Sequence, residues 1–162
     1  MSGVHVSDRK PTPELLRYQV LAQGIDDAAT RIAARSIPKS YRFVIGVQMA
    51  DAANELAELV DLSLEFYPSN AVAANDRKRC YSRAVAKAKT LKRLMNKAMR
   101  LDLAKAADFE AAIAQIDEFI ACVHGLKKSV KIKGIESVED AIRWHKAQIE
   151  ALDELQSSHV AP

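Results

Sequence analysis

Residues 77–100 read RKRCYSRAVAKAKTLKRLMNKAMR. At 100° per residue, Tyr81, Ala84, Val85, Ala88, Leu91, Leu94, Met95, Ala98 and Met99 gather on one face. Apart from Arg77 at the start, the basic residues Lys78, Arg79, Arg83, Lys87, Lys89, Lys92, Arg93, Lys97 and Arg100 occupy the rest of the circumference, and no Asp or Glu interrupts them. The pattern is that of a long amphipathic helix, with one face for a core and a broad cationic face for something else. A solvated face normally mixes both signs, because like charges at i,i+4 repel. An unmixed face points to an anionic partner, nucleic acid first, with internal pairing plus solvation as the competing account.

Outward from this stretch, the segregation of charge continues. Residues 77–133 carry 15 Lys and Arg against 5 Asp and Glu, while the remainder carries 9 against 16, so the net charge of +3 conceals two opposed halves. Beyond residue 109, Phe109, Ala112, Ile113, Ile116, Phe119, Ile120 and Val123 recur at helical spacing. They are followed by Lys127, Lys128, Lys131 and Lys133. The first two suit the negative end of a helix, and all four are candidate additions to the cationic face. On the N-terminal side, residues 69–76 read as a polar loop. Before it, a helix from about Tyr41 to Tyr67 buries Ile45, Met49, Ala52, Leu56, Leu59 and Val60, and Pro68 stops it. Asp51, Glu55, Glu58, Asp61 and Glu65 fall on its opposite face, and no Lys or Arg occurs between Phe43 and Tyr67. These acids face away from the apolar stripe and no Glu-x-x-His accompanies them, which argues against a di-metal bundle site. They read instead as a face for pairing with cations of this chain or of a neighbouring subunit.

A first helix opens at Thr12-Pro13, as N-cap and first helical residue, and runs to about Arg35. Ile37-Pro38-Lys39-Ser40 forms the next turn, with Ser40 as N-cap. After Gly134, residues 137–140 resemble a capping box, and a fifth helix reaches about Gln156. Its thin seam of Val138, Ile142, Ile149, Leu152 and Leu155 suits docking on the bundle or on a neighbour. The expected fold is all-α: an up-down-up-down four-helix bundle over 12–133 and a C-terminal helical extension over 134–156. A flexible tail over 1–11 precedes the bundle, and a frayed tail over 157–162 follows the extension.

Chemistry is sparse. There is no Gly-rich phosphate loop, the four His are isolated, and Cys80 and Cys122 sit within helical patterns as small hydrophobes. No apolar run approaches the ~20 residues that span a bilayer. Residues 1–10 lack the apolar core of a signal peptide, so the cytoplasm is the expected compartment. No catalytic residue, metal ligand or cofactor is expected.

Three stretches carry a resemblance. Ile37-Pro38-Lys39-Ser40-Tyr41-Arg42-Phe43-Val44-Ile45-Gly46 is similar to the turn between the first two helices of a group of bacterial four-helix bundle proteins. That group includes the accessory variability determinant proteins of diversity-generating retroelements and the intervening-sequence proteins encoded within large ribosomal RNA genes. Arg77-Lys78 opening a basic third helix, and Gly125-Leu126-Lys127-Lys128-Ser129 closing the fourth, fit the same pattern. The retroelement branch carries a Trp near that closing Gly, where this chain has Leu126. The resemblance covers about residues 14–130 and implies a homopentamer of four-helix bundles. It also implies a basic surface that binds nucleic acid, RNA or DNA, together with the element's reverse transcriptase. Two other classes remain beside it: an intervening-sequence type of RNA-binding bundle with no reverse transcriptase partner, and a scaffold whose charges serve only protein pairing.

Overall fold

The computed structural model describes residues 11–132 and 138–159. The expected N-terminal tail, apart from Pro11, and Lys133 lie outside the described residues. Helix α1 spans Pro13–Arg31, and the Thr12 hydroxyl caps it by accepting from the Leu15 amide at 3.4 Å. A π-helical turn, Ile32–Ser36, extends it, and Ile37 then turns to extended geometry before Pro38. The second helix expected from sequence is built in three pieces. Helix α2, Lys39–Tyr41, leads through a π-helical turn, Arg42–Gly46, into α3, Val47–Glu65. Its N-cap position is Pro38 rather than Ser40, and no side chain caps it. The Arg42 Nε donates to the Ile37 carbonyl at 3.0 Å and closes the turn. Because Pro68 disfavours helical geometry at the residue before it, the chain leaves the helix at Phe66.

Helix α4 spans Ala71–Arg100, six residues more at its start than the cationic stretch itself. Asn70 is the reason: its side-chain oxygen accepts from the Ala73 amide at 2.8 Å, and Ala71, Ala73 and Ala74 propagate the first turn. The far end closes in a Schellman pattern. The Leu103 amide donates to the Ala98 carbonyl and the Asp102 amide to that of Met99, both at 3.0 Å, with Asp102 left-handed at φ 51°. Helix α5, Ala106–Ser129, begins three residues ahead of Phe109, with Asp108 at its positive end. Helix α6 spans Val138–His159, past the expected end near Gln156.

The molecule is all-α. Helix α1 packs on α3 and α5, and α4 packs on the same two, so the four form a closed ring of neighbours. Cross-links fix the directions. Tyr18 near the start of α1 meets Ser63 near the end of α3, and Lys87 of α4 meets Glu55 of α3. Lys92 and Ser82 of α4 meet Asp117 and Lys127 of α5, and Arg17 of α1 meets Glu118. Each neighbouring pair is therefore antiparallel, the up-down-up-down arrangement that short links favour. The core holds Ile25, Met49, Leu56, Leu91, Met95, Phe109 and Ile116, all fully buried. At one end, Tyr18 stacks on Phe119 and meets Tyr81 edge-on, with both ring centroids at 5.5 Å. The Ser63 hydroxyl donates to the Val60 carbonyl at 2.6 Å, which leaves its oxygen to accept from Tyr18 at 3.2 Å. Helix α6 shares no packed interface with the bundle helices among the described residues. Ile142, Ile149 and Leu152, the expected docking residues, are more than half exposed.

Candidate nucleic-acid interface

The apolar stripe of residues 81–99 turns α4 inward, and this alone fixes which of its cations reach solvent. Arg79, Arg83, Lys89, Arg93, Lys97 and Arg100 are exposed, while Lys78, Lys87 and Lys92 are half-buried at the helix edges. The edge cations have partners within the chain. Lys87 forms an ion pair with Glu55. Lys92 donates to both carboxylate oxygens of Asp117, at 2.6 and 2.8 Å. Arg79 lies 3.8 Å from Asp76, one helical turn back. No ion pair within the described residues engages Lys89, Arg93, Lys97 or Arg100. These four line one side of the last three turns of α4, a run of roughly 17 Å at 1.5 Å per residue. Successive phosphates of one duplex strand lie about 3.4 Å apart along the axis, so several fall within reach of this row.

Nearer the start of α4, Lys78, Arg79, Arg83 and Lys127 surround a shallow cleft of about 420 Å³, with Asn75 and Ser82 completing its walls. Lys127 is held there: its Nζ donates to the Ser82 hydroxyl at 2.7 Å, and that hydroxyl donates to the Lys78 carbonyl at 3.1 Å. Among the described residues no carboxylate lines the cleft. Four cations and an amide around a concave surface are chemically suited to a phosphate group. Sequence reading found the cations but not the cleft. The spacing Asn75, Lys78 or Arg79, Ser82 places them on one face of α4, yet the fourth wall comes from α5.

Two of the expected cations belong elsewhere. Arg77 is only 9% exposed. Its Nε donates to the Tyr81 hydroxyl at 3.0 Å, and its guanidinium carbon lies 5.9 Å from that ring's centre. Its departure from the cationic arc is already visible on the helical wheel, where it shares the side of Tyr81 four residues on. Lys131 is exposed, but it lines a cavity at the end of the bundle rather than the α4 face. Lys128 is exposed at the end of α5, and Lys133 is outside the described residues.

The acidic row is placed as expected: Asp51, Glu55, Glu58, Asp61 and Glu65 are all exposed on α3. Glu55 is the member of this row that pairs with a cation among the described residues. Glu58 accepts from the Asn54 amide at 2.8 Å. Sequence reading missed the apolar patch preceding this row. Tyr41, Phe43, Val44 and Val47 are exposed, Phe43 at 86%. They lie off the stripe that begins at Ile45, and this is the signal by which they could have been found.

Reactive groups are muted. Burial pushes both thiols, Cys80 and Cys122, above the ordinary range, which disfavours the thiolate at neutral pH. Among the described residues no three His, Cys, Asp or Glu side chains gather as a metal site, and no helix is long and apolar enough to cross a membrane. No protein-family model matches this chain, and no curated protein sequence matches it.

Proposed function

We propose that the chain is a non-enzymatic, cytoplasmic nucleic-acid-binding bundle that works as an oligomer. Its place is as the accessory protein of a diversity-generating retroelement, beside that element's reverse transcriptase. The observation that carries the nucleic-acid reading is the exposed row Lys89, Arg93, Lys97 and Arg100, which no carboxylate of the described chain neutralises. The cleft of Lys78, Arg79, Arg83 and Lys127 extends the same surface. The resemblance through the Pro38 turn supplies the retroelement, the polymerase partner and a homopentamer.

Contacts of this kind engage phosphates rather than base edges, and no aromatic side chain interleaves with the cations to stack bases. Binding is therefore weak in sequence preference and steep in salt. With about six phosphates neutralised, affinity falls on the order of 10³-fold between 50 and 200 mM salt. Fluorescence anisotropy with labelled RNA and DNA tests this. Changing Lys89, Arg93, Lys97 and Arg100 together to Gln is expected to weaken binding uniformly and to flatten the salt slope. Retention of parental binding by that folded variant would falsify the reading.

A second reading is favoured by the adjoining face, that of α3. Asp51, Asp61 and Glu65 are exposed without a cation in the described chain, and the Phe43 patch precedes them at the start of α3. In that reading the charges serve subunit pairing alone, as in a protein-binding scaffold. Light scattering separates assembly from ligand binding: an oligomer, five copies favoured, is expected at tens of micromolar in moderate salt. A monomer there removes the pentamer and most of the family inference. Co-purification with the reverse transcriptase of the same element distinguishes the retroelement branch from the intervening-sequence type.

A further inference from the structure

At the end of the bundle where α1 and α4 begin and α3 and α5 finish lies a cavity of about 470 Å³, within the usual range of small-molecule sites. Its walls are chiefly apolar, with Leu15, Leu64, Leu126 and Val130 among them. Arg77 and Tyr81 line it as well, with Lys131 at the rim. Among the described residues the lining contains no Asp or Glu, and no carboxylate lies within ion-pair distance of Arg77.

A guanidinium nine-tenths removed from water is costly unless its charge is met. Within the described chain Arg77 makes one hydrogen bond, from Nε to a neutral phenol. Its two Nη groups find no acceptor there, yet no side-chain nitrogen of the described residues is both sealed from solvent and without a partner. Those groups therefore keep access to solvent, and Arg77 is one of the residues that line the cavity. Burial raises the affinity of the Tyr81 hydroxyl for its proton, so at neutral pH it too remains an O–H donor. A planar fork of N–H donors in the wall of an apolar chamber is complementary to a carboxylate carried on an apolar body.

From the buried guanidinium that lines this apolar chamber, with no carboxylate partner among the described residues, we infer that the bundle end is a binding site for a small amphipathic monocarboxylate. Its carboxylate sits on Arg77, and its hydrocarbon lies among Leu15, Leu64, Leu126 and Val130. The inference is independent of the nucleic-acid reading, since neither residue row on the outer faces takes part.

Isothermal titration of the full chain with octanoate, below its micelle threshold, tests the site. Saturable one-to-one binding is expected, with octan-1-ol and inorganic phosphate each at least roughly 10-fold weaker. Arg77→Gln should weaken octanoate at least roughly 10-fold while leaving octan-1-ol unchanged. Should that variant fail to fold, Val130→Trp fills the chamber with Arg77 intact and should abolish octanoate binding. The proposal is overturned by absence of saturable octanoate binding, by octan-1-ol or phosphate binding as well as octanoate, or by parental octanoate affinity in a folded variant of either kind.

Discussion

The helix interior at Gly24 is a residue whose conformational freedom serves no turn. A methyl group placed there would meet the Gln115 side-chain amide at 3.6 Å, an ordinary contact with the end of a flexible chain. Gly24→Ala should therefore raise stability by about 1 kcal/mol, the difference in helix propensity, read as a higher denaturant midpoint at constant slope. Gly46 is the contrast: there the same methyl would lie 3.4 Å from the Ala33 carbonyl oxygen, where the two π-helical turns approach each other. The tyrosines make a second residue-scale case. Burial raises the pKa of Tyr18 and of Tyr81 above the ordinary phenol value near 10. Between the unfolded and folded values the native state holds more protons, so stability is complete below about pH 10 and declines as pH rises beyond it. Urea midpoints measured from pH 8 to 11 should fall along the alkaline limb, and Tyr18→Phe should shallow that fall.

Among the elements, α4 owes its first turn to one side chain. Asn70→Ala should cost about 1 kcal/mol by freeing the Ala73 amide, seen as a lowered melting temperature with the helix otherwise retained. That cap also shows where sequence reading stopped. Ser69 to Asp76 reads as a polar loop because Asn70, Asn75 and Asp76 are turn-forming types, and the Ala run between them carries no periodic signal. The faces of α3 and α4 were legible, since the side-chain period fixes which residues point outward. The pairing of Lys92 with Asp117, the cleft wall from Lys127 and the chamber around Arg77 were not, because each depends on the packing of two or more helices. Helix α6 was legible as an element separate from the bundle, but Ile142, Ile149 and Leu152 are more than half exposed rather than docked. Removing residues 134–162 should leave a cooperatively unfolding helical bundle, followed by circular dichroism against urea. Loss of cooperativity would place α6 in the folding unit.

For the molecule as a whole, the closed ring of antiparallel neighbours distributes charge by wall. One outer wall, α3, is acidic with an apolar patch at its start; the adjoining wall, α4, is cationic along most of its length. Among the described residues one ion pair, Glu55 with Lys87, bridges them and leaves most of both rows unpaired with each other. The same ring has a topological consequence. Thr12 ahead of α1 and Val130 after α5 line one cavity, so the two ends of the bundle's chain emerge together. The bundle is thus a loop in all but covalent connection, and where it is cut should matter little. A circular permutant of residues 12–132, its old ends joined by a short Gly-Ser linker and new ones opened between Asp102 and Leu103, should fold to the same helical content. Such a permutant would carry both of its termini at the opposite pole, turning whatever is fused to them through 180° relative to the cationic wall.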